Sequence, residues 1–162
     1  LGYSFTKRFT ALCHFILGLS LSLAPVGAYI SVTGRFDIIP VIYSFIVLTW
    51  VGGFDIIYSL QDDEFDREKN LYSIPSKVGR KNALLISIIS HSVTILMTIA
   101  AGITGDSGFL FWIGASIFIF LLIYQHVIVK PGDISKVNIA FEITNGLASI
   151  IFACFVIADL FI

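Results

Sequence analysis

Apolar and polar positions in this chain segregate into long blocks, with neither the strict alternation of a half-buried strand nor the one-sided stripe of a soluble helix. A membrane-spanning helix needs about 20 largely apolar residues. Five blocks meet that length, at about Phe9–Val32, Ile38–Gln61, Asn82–Ile103, Phe109–Val129 and Val137–Ile162. Short polar links separate them. Asp37 stands before the second block as a helix N-cap with Pro40 in the first turn, and Ser76 after Pro75 is the cap expected for the third. Thr104-Gly105-Asp106-Ser107-Gly108 has the composition of a tight turn. Pro25 falls inside the first block, where membrane helices tolerate it. The pattern predicts an all-α, polytopic transmembrane helix bundle of about five spans.

Composition agrees with that reading: 57% of the 162 residues are hydrophobic, and 15 of them are Phe. Ten basic and 11 acidic residues leave a formal net charge of −1, which points to no nucleic-acid partner. Cys13 and Cys154 lie in apolar runs without metal or redox spacing, as small helix residues. If the five spans alternate, nine of the ten Lys and Arg residues fall on one side and Arg35 alone on the other. The positive-inside rule then makes the basic side cytoplasmic. The opening Leu1-Gly2-Tyr3-Ser4 has no signal-peptide pattern and reads as the interior of a longer protein.

Charge itself is concentrated. Only 13% of residues are charged, yet 11 of those 21 lie between Asp55 and Lys81. Asp62 and Asp66 are four apart, so on a helix they stack on one face, and Tyr58 and Asp55 continue that face back into the apolar block. Two carboxylates so placed repel unless a cation lies between them. An oxygen-only pair suits Mg²⁺, which keeps several waters and bridges one or two carboxylates to phosphates. The alternative is a solvated membrane loop. Asp55 lies roughly 10 Å deeper along such a helix at 1.5 Å per residue. Inserting an ionisable residue there costs at least about 2.5 kcal/mol, which marks it as a functional candidate or as a buried bond to a neighbouring helix. His14 and His91 are single histidines in apolar blocks and read as helix contacts. Glu142 and Asn145 are candidates for lining a cavity or for bonding helix to helix.

The string D-x-x-Y-x-x-x-D-x-x-x-D, at Asp55, Tyr58, Asp62 and Asp66, precedes L-Y-S-I-P-S-K-V-G at Leu71–Gly79. Together they resemble the second aspartate-rich motif of the UbiA superfamily of intramembrane prenyltransferases. The opening Tyr3–Arg8 and the stretch Leu17–Gly34 are similar to its 4-hydroxybenzoate polyprenyltransferase branch. Phe54 stands where Tyr often precedes the Asp, and Asn70 where Gly is usual.

The resemblance implies a nine-helix membrane enzyme of which this chain is the C-terminal part, its five spans being the last five. The first aspartate-rich motif would lie outside it, leaving this chain alone inactive. The implied reaction joins a polyprenyl diphosphate to an aromatic acceptor, such as 4-hydroxybenzoate, in ubiquinone or menaquinone synthesis. Asp62 and Asp66 would hold Mg²⁺; Lys7, Arg8 and Lys77 would contact the diphosphate; Asp55 or Tyr58 would orient or polarise the acceptor. The implied setting is the bacterial inner membrane with the acidic loop facing the cytoplasm. A secondary transporter using Asp55, or a non-catalytic scaffold, are the alternatives.

Overall fold

The computed structural model describes residues 3–162, so that Leu1 and Gly2 of the opening string lie outside the described residues. In chain order the elements are α1 (Tyr3–Thr6), α2 (Cys13–Thr33), α3 (Ile38–Tyr58), a 3₁₀ turn (Ser59–Gln61), α4 (Asp63–Glu68), α5 (Ile74–Thr104) and α6 (Phe109–Ile128). A π-helical turn (Ile139–Thr144) then runs into α7 (Asn145–Asp159). Among the described residues there is no strand, only an isolated bridge between Lys130 and Asp133. Among the described residues, five helical stretches are long and apolar enough to cross a membrane: Cys13–Thr33, Ile38–Gln61, Ile74–Thr104, Phe109–Ile128 and Ile139–Asp159. Each overlaps one of the five apolar blocks.

Local chemistry sets the helix ends. Asp37 is the N-cap of α3, its carboxylate accepting from the Ile39 N–H at 3.2 Å. The start of α5 departs from expectation. Ser73, not Ser76, is the N-cap; Ser76 is the reciprocal partner of a capping box, which begins the helix at Ile74 rather than near Asn82. Gly79, at φ 80° and ψ 161°, then interrupts α5 between its first turns and its long span.

The acidic stretch is likewise not the single continuous helix that the spacing suggests. α3 ends at Tyr58, the 3₁₀ turn intervenes, and α4 begins at Asp63 with Asp62 at its N-cap position. α4 closes in a Schellman motif: the Leu71 N–H reaches the Asp66 carbonyl at 2.7 Å and the Asn70 N–H reaches that of Arg67 at 3.2 Å. Asn70 sits at the left-handed position, φ 54°, that this motif requires. Asn tolerates that conformation best after Gly, which accounts for Asn where the resemblance expects Gly.

Between spans, small and hydroxyl side chains replace bulk. Ser87 Oγ donates to the Gly53 carbonyl at 2.7 Å and Ser90 Oγ to that of Thr49 at 2.7 Å, while the Thr49 and Thr94 hydroxyls meet at 2.8 Å. These bonds zip α3 to α5 where no water competes. A cluster of Ile56, Ile57, Leu60, Ile74, Leu84 and Val129 fills the end of the bundle below the acidic segment. Leu19, Leu23 and Val32 of α2 stay exposed in this chain.

At Gly53 a side-chain Cβ would run into the imidazole of His91, whereas at Gly27 it would meet nothing within 4 Å. Gly53→Leu should therefore separate α3 from α5, at a cost of about 1–3 kcal/mol as overpacking usually brings. A thermal unfolding series in detergent should show a lowered midpoint for Gly53→Leu and an unchanged or raised one for Gly27→Ala.

Candidate functional site

Four carboxylates crowd the end of α3 and the start of α4, and the structure gives them different partners. Asp63 is buried and receives Arg80 twice, Nε at 3.0 Å and Nη2 at 2.7 Å, and Arg67 at 3.1 Å. This forked contact fastens α4 to α5 just past the interruption at Gly79, with Glu64 accepting from Arg80 at 3.2 Å. Asp63 is thus fully engaged in structure. Asp62 and Asp66 instead converge on Lys7, whose Nζ lies 3.8 Å from Asp62 Oδ2 and 3.3 Å from Asp66 Oδ2. Asp66 is buried while the side chain of Asp62 is 52% exposed, so the pair opens toward solvent on the Asp62 side. Lys7 is anchored by its own backbone, its carbonyl accepting from the Tyr72 N–H at 2.6 Å.

Asp55 lies a level deeper and is buried. His14 of α2 stands 2.7 Å from its Oδ2, and the Ile74 N–H approaches His14 Nε2 at 3.3 Å. A backbone N–H can only donate, so Nε2 holds a lone pair, and the ring proton sits on Nδ1 and is donated to Asp55. One imidazole thereby joins α2, α3 and the beginning of α5. Beside it Cys13 Sγ lies 3.6 Å from the Tyr72 carbonyl.

Trp50, Phe54 and Tyr58 follow at four-residue intervals on α3 and form an aromatic wall. Trp50 meets Phe54 edge-on at 5.7 Å, and Phe141, from the π-helical turn, lies 5.5 Å from Phe54 and 4.1 Å from Tyr58. Behind it Asn145 Oδ1 accepts from Trp50 Nε1 at 3.3 Å and from Gln125 Nε2 at 2.7 Å.

Of the basic residues singled out by sequence, Lys7 alone touches the Asp62/Asp66 pair. Lys77 lies over the Tyr72 ring at 4.1 Å and lines a polar cavity of about 190 Å³ with Arg67, Asn70 and Ser76. Arg8 is exposed, 5.5 Å over the Phe5 ring. His14 and Phe141 are the site residues that sequence reading did not assign. A histidine one turn into the first span was visible, but its pairing with Asp55 depends on how α2 packs. Among the described residues no three His, Cys, Asp or Glu side chains group as metal ligands.

A sequence model of the UbiA prenyltransferase family matches residues 1–154. The chain belongs to this family. It is 28% identical over 155 residues to a 4-hydroxybenzoate octaprenyltransferase of Francisella tularensis subsp. novicida, covering 96% of this chain and 54% of that protein. It is 24% identical over 151 residues to a 4-hydroxybenzoate octaprenyltransferase of Paraburkholderia phymatum, covering 93% of this chain and 52% of that protein. The chain therefore spans about half the length of the curated relatives it matches. An apo structure of a UbiA homologue from Aeropyrum pernix K1 superposes with a TM-score of 0.85 at 27% identity, over 99% of this chain and 60% of that one. With its five apolar spans, this UbiA-family chain is an integral membrane protein and part of a larger all-α fold.

Within the UbiA-family site, the His14 bond to Asp55 has a testable weight. His14→Ala removes the imidazole's bonds to Asp55 and to the Ile74 N–H, and losing buried bonds of this kind costs about 1–3 kcal/mol. Asp55→Asn keeps an oxygen that accepts from His14 Nδ1–H. In thermal unfolding of the detergent-purified protein, His14→Ala should melt well below Asp55→Asn; equal midpoints would mean that this bond does not hold the three helices.

Proposed function

We propose that residues 1–162 are the C-terminal part of a single membrane-embedded prenyltransferase domain. In this reading it transfers a polyprenyl group from a polyprenyl diphosphate to an aromatic acceptor such as 4-hydroxybenzoate, in ubiquinone or menaquinone synthesis. Membership of the UbiA family and the names of the relatives support the reaction class, and do not favour the transporter or scaffold alternatives. The observation that carries the proposal is the convergence of Asp62 and Asp66 on one cation position, filled by the Lys7 ammonium.

The residues present fit a divalent ion as a half-site. Two carboxylates, one buried and one facing solvent, already share a cation, and Mg²⁺ takes one or two protein carboxylates when phosphate oxygens and waters complete its shell. Asp62 and Asp66 would hold it. Bound there, Mg²⁺ would supply positive charge to a departing diphosphate. A first aspartate-rich motif, in the portion of the protein preceding this chain, would complete the site, so that this chain alone is inactive.

The chain's own residues have separable tasks in this reading. Lys7 exchanges its carboxylate partners for diphosphate oxygens, and Lys77 reaches the same anion from the neighbouring polar cavity; Arg8 is exposed on the same side and suits bidentate phosphate contact. Phe54, Tyr58 and Phe141 offer aromatic faces to the allylic cation that forms when the C–O bond breaks. Asp55, with one oxygen held by His14, and Tyr58 orient and polarise the acceptor. Exclusion of water by the surrounding spans strengthens each of these electrostatic contacts.

The acidic segment faces the cytoplasm of a bacterial inner membrane in this proposal. Nine of ten basic residues belong to the links on its side. The bonds Lys7 to Asp66, Ile74 to His14 and Gln61 to Asn138 gather those links at one end of the bundle.

The test uses membranes carrying the full-length protein, radiolabelled polyprenyl diphosphate and 4-hydroxybenzoate. Product should require Mg²⁺ and fall by roughly 10²–10³ in Asp66→Ala and in Asp62→Ala, the range seen on removing one charge-stabilising group. Product that survives either substitution unchanged would remove that residue from the site, and no transfer to any aromatic acceptor would overturn the reaction class.

A further inference from the structure

α5 and α6 leave a groove between them. Its outer part is a cavity of about 320 Å³ lined by Lys81, Leu85, Ile88, His126, Val129 and Lys130, among others. A second cavity, of about 220 Å³, shares Ile88 and His126 with the first and continues along Ile95, Leu122, Ile123 and Val127. The groove is therefore one run, mostly apolar with His91, Ser92 and His126 in its wall, and cationic at one mouth. Leu85, Ile123 and Val127 are each more than half exposed, so the groove is open along the surface of this chain.

Among the described residues no ion pair offsets the charge at the mouth, and Asp133 attracts Lys130 only at longer range. Arg80, next to Lys81, is committed to Asp63 and Glu64. Asp133, in the turn after Lys130, is bound by Ser135 through its N–H at 3.0 Å and its hydroxyl at 2.6 Å. Among the described residues no carboxylate lies within ion-pair distance of Lys81 or Lys130, and no acidic residue lines either cavity. A cationic mouth over a mostly apolar inter-helix groove, at the end of the bundle where basic residues collect, has the chemistry of an anionic lipid site. Lysines that only snorkelled to the surface would need no groove beneath them.

We infer that the α5–α6 groove binds one anionic glycerophospholipid of the bilayer, its headgroup phosphate between Lys81 and Lys130 and an acyl chain along Ile88, Ile95 and Ile123. The site is separate from the Asp62/Asp66 pair and does not depend on the transferase reading. The occupant is a structural lipid that fills the groove and ties the outer ends of α5 and α6.

Native mass spectrometry of the full-length protein in detergent, titrated with phosphatidylglycerol or with phosphatidylcholine of the same acyl chains, tests this. One phosphatidylglycerol should be retained in preference to phosphatidylcholine. At about 1 kcal/mol for each lysine near an anionic headgroup, affinity should fall roughly fivefold in Lys81→Gln or Lys130→Gln and about 30-fold in the double variant. Lys136→Gln, an exposed lysine outside the groove, should change nothing. Equal retention of the two lipids, an unaltered double variant, or an equal loss in Lys136→Gln would overturn the site. So would one-for-one displacement of phosphatidylglycerol by farnesyl diphosphate, which would make the groove a substrate site. Should the double variant not fold, the wild-type lipid preference and the two single variants decide the matter.

Discussion

A carboxylate carried into a membrane on a spanning helix must be met by a donor from a neighbouring helix, because neither lipid nor water is there to answer it. Asp55 is met by His14, and the other nitrogen of His14 accepts the N–H of Ile74. Three helices are brought to one point by a single imidazole. That point sets the height of α2 against α3, and the start of α5 against both. It also brings the segment before α2 alongside Leu71–Ser73, where the Lys7 carbonyl takes the Tyr72 N–H. The Lys7 ammonium can reach Asp62 and Asp66 only because that deeper bond has placed its backbone.

The same logic sorts the acidic cluster. Neighbouring carboxylates look equivalent on paper, but the fold divides them by the cations it can bring. Asp63 receives two guanidinium groups in forked geometry and becomes a joint between α4 and α5. Asp62 and Asp66 share one ammonium, that of Lys7. The structural charge thus rests on arginine, and in the proposed reading the exchangeable charge rests on lysine, in line with the rigid fork of one and the flexible stem of the other.

Much of this was legible before any coordinates. The five spans follow from hydropathy, because a bilayer imposes length and apolarity on every helix that crosses it. The cap at Asp37 is equally local and was equally readable. Other features depend on contacts distant in sequence and left no local mark. Asp63 cannot be told from Asp62 until Arg80 is placed, and His14 reads as a core residue until α2 is docked. The 3₁₀ turn after Tyr58 divides a run whose spacing suits an uninterrupted helix. The π-helical turn that presents Phe141 to Tyr58 has no composition signal at all, although such turns gather at functional sites. Ser73 and Ser76 serve one cap together, Ser73 at the N-cap and Ser76 as its reciprocal partner.

In the proposed reading Asp62 and Asp66 share a cation position that a divalent ion takes in the presence of diphosphate. Mn²⁺ electron paramagnetic resonance on the full-length protein reads this directly, with a thiolo-diphosphate analogue that does not ionise. The account predicts a bound Mn²⁺ signal with ³¹P hyperfine coupling that is lost in Asp66→Asn and retained in Asp63→Asn wherever the latter folds. A bound Mn²⁺ signal unaffected by Asp66→Asn, or one without phosphorus coupling, would contradict it.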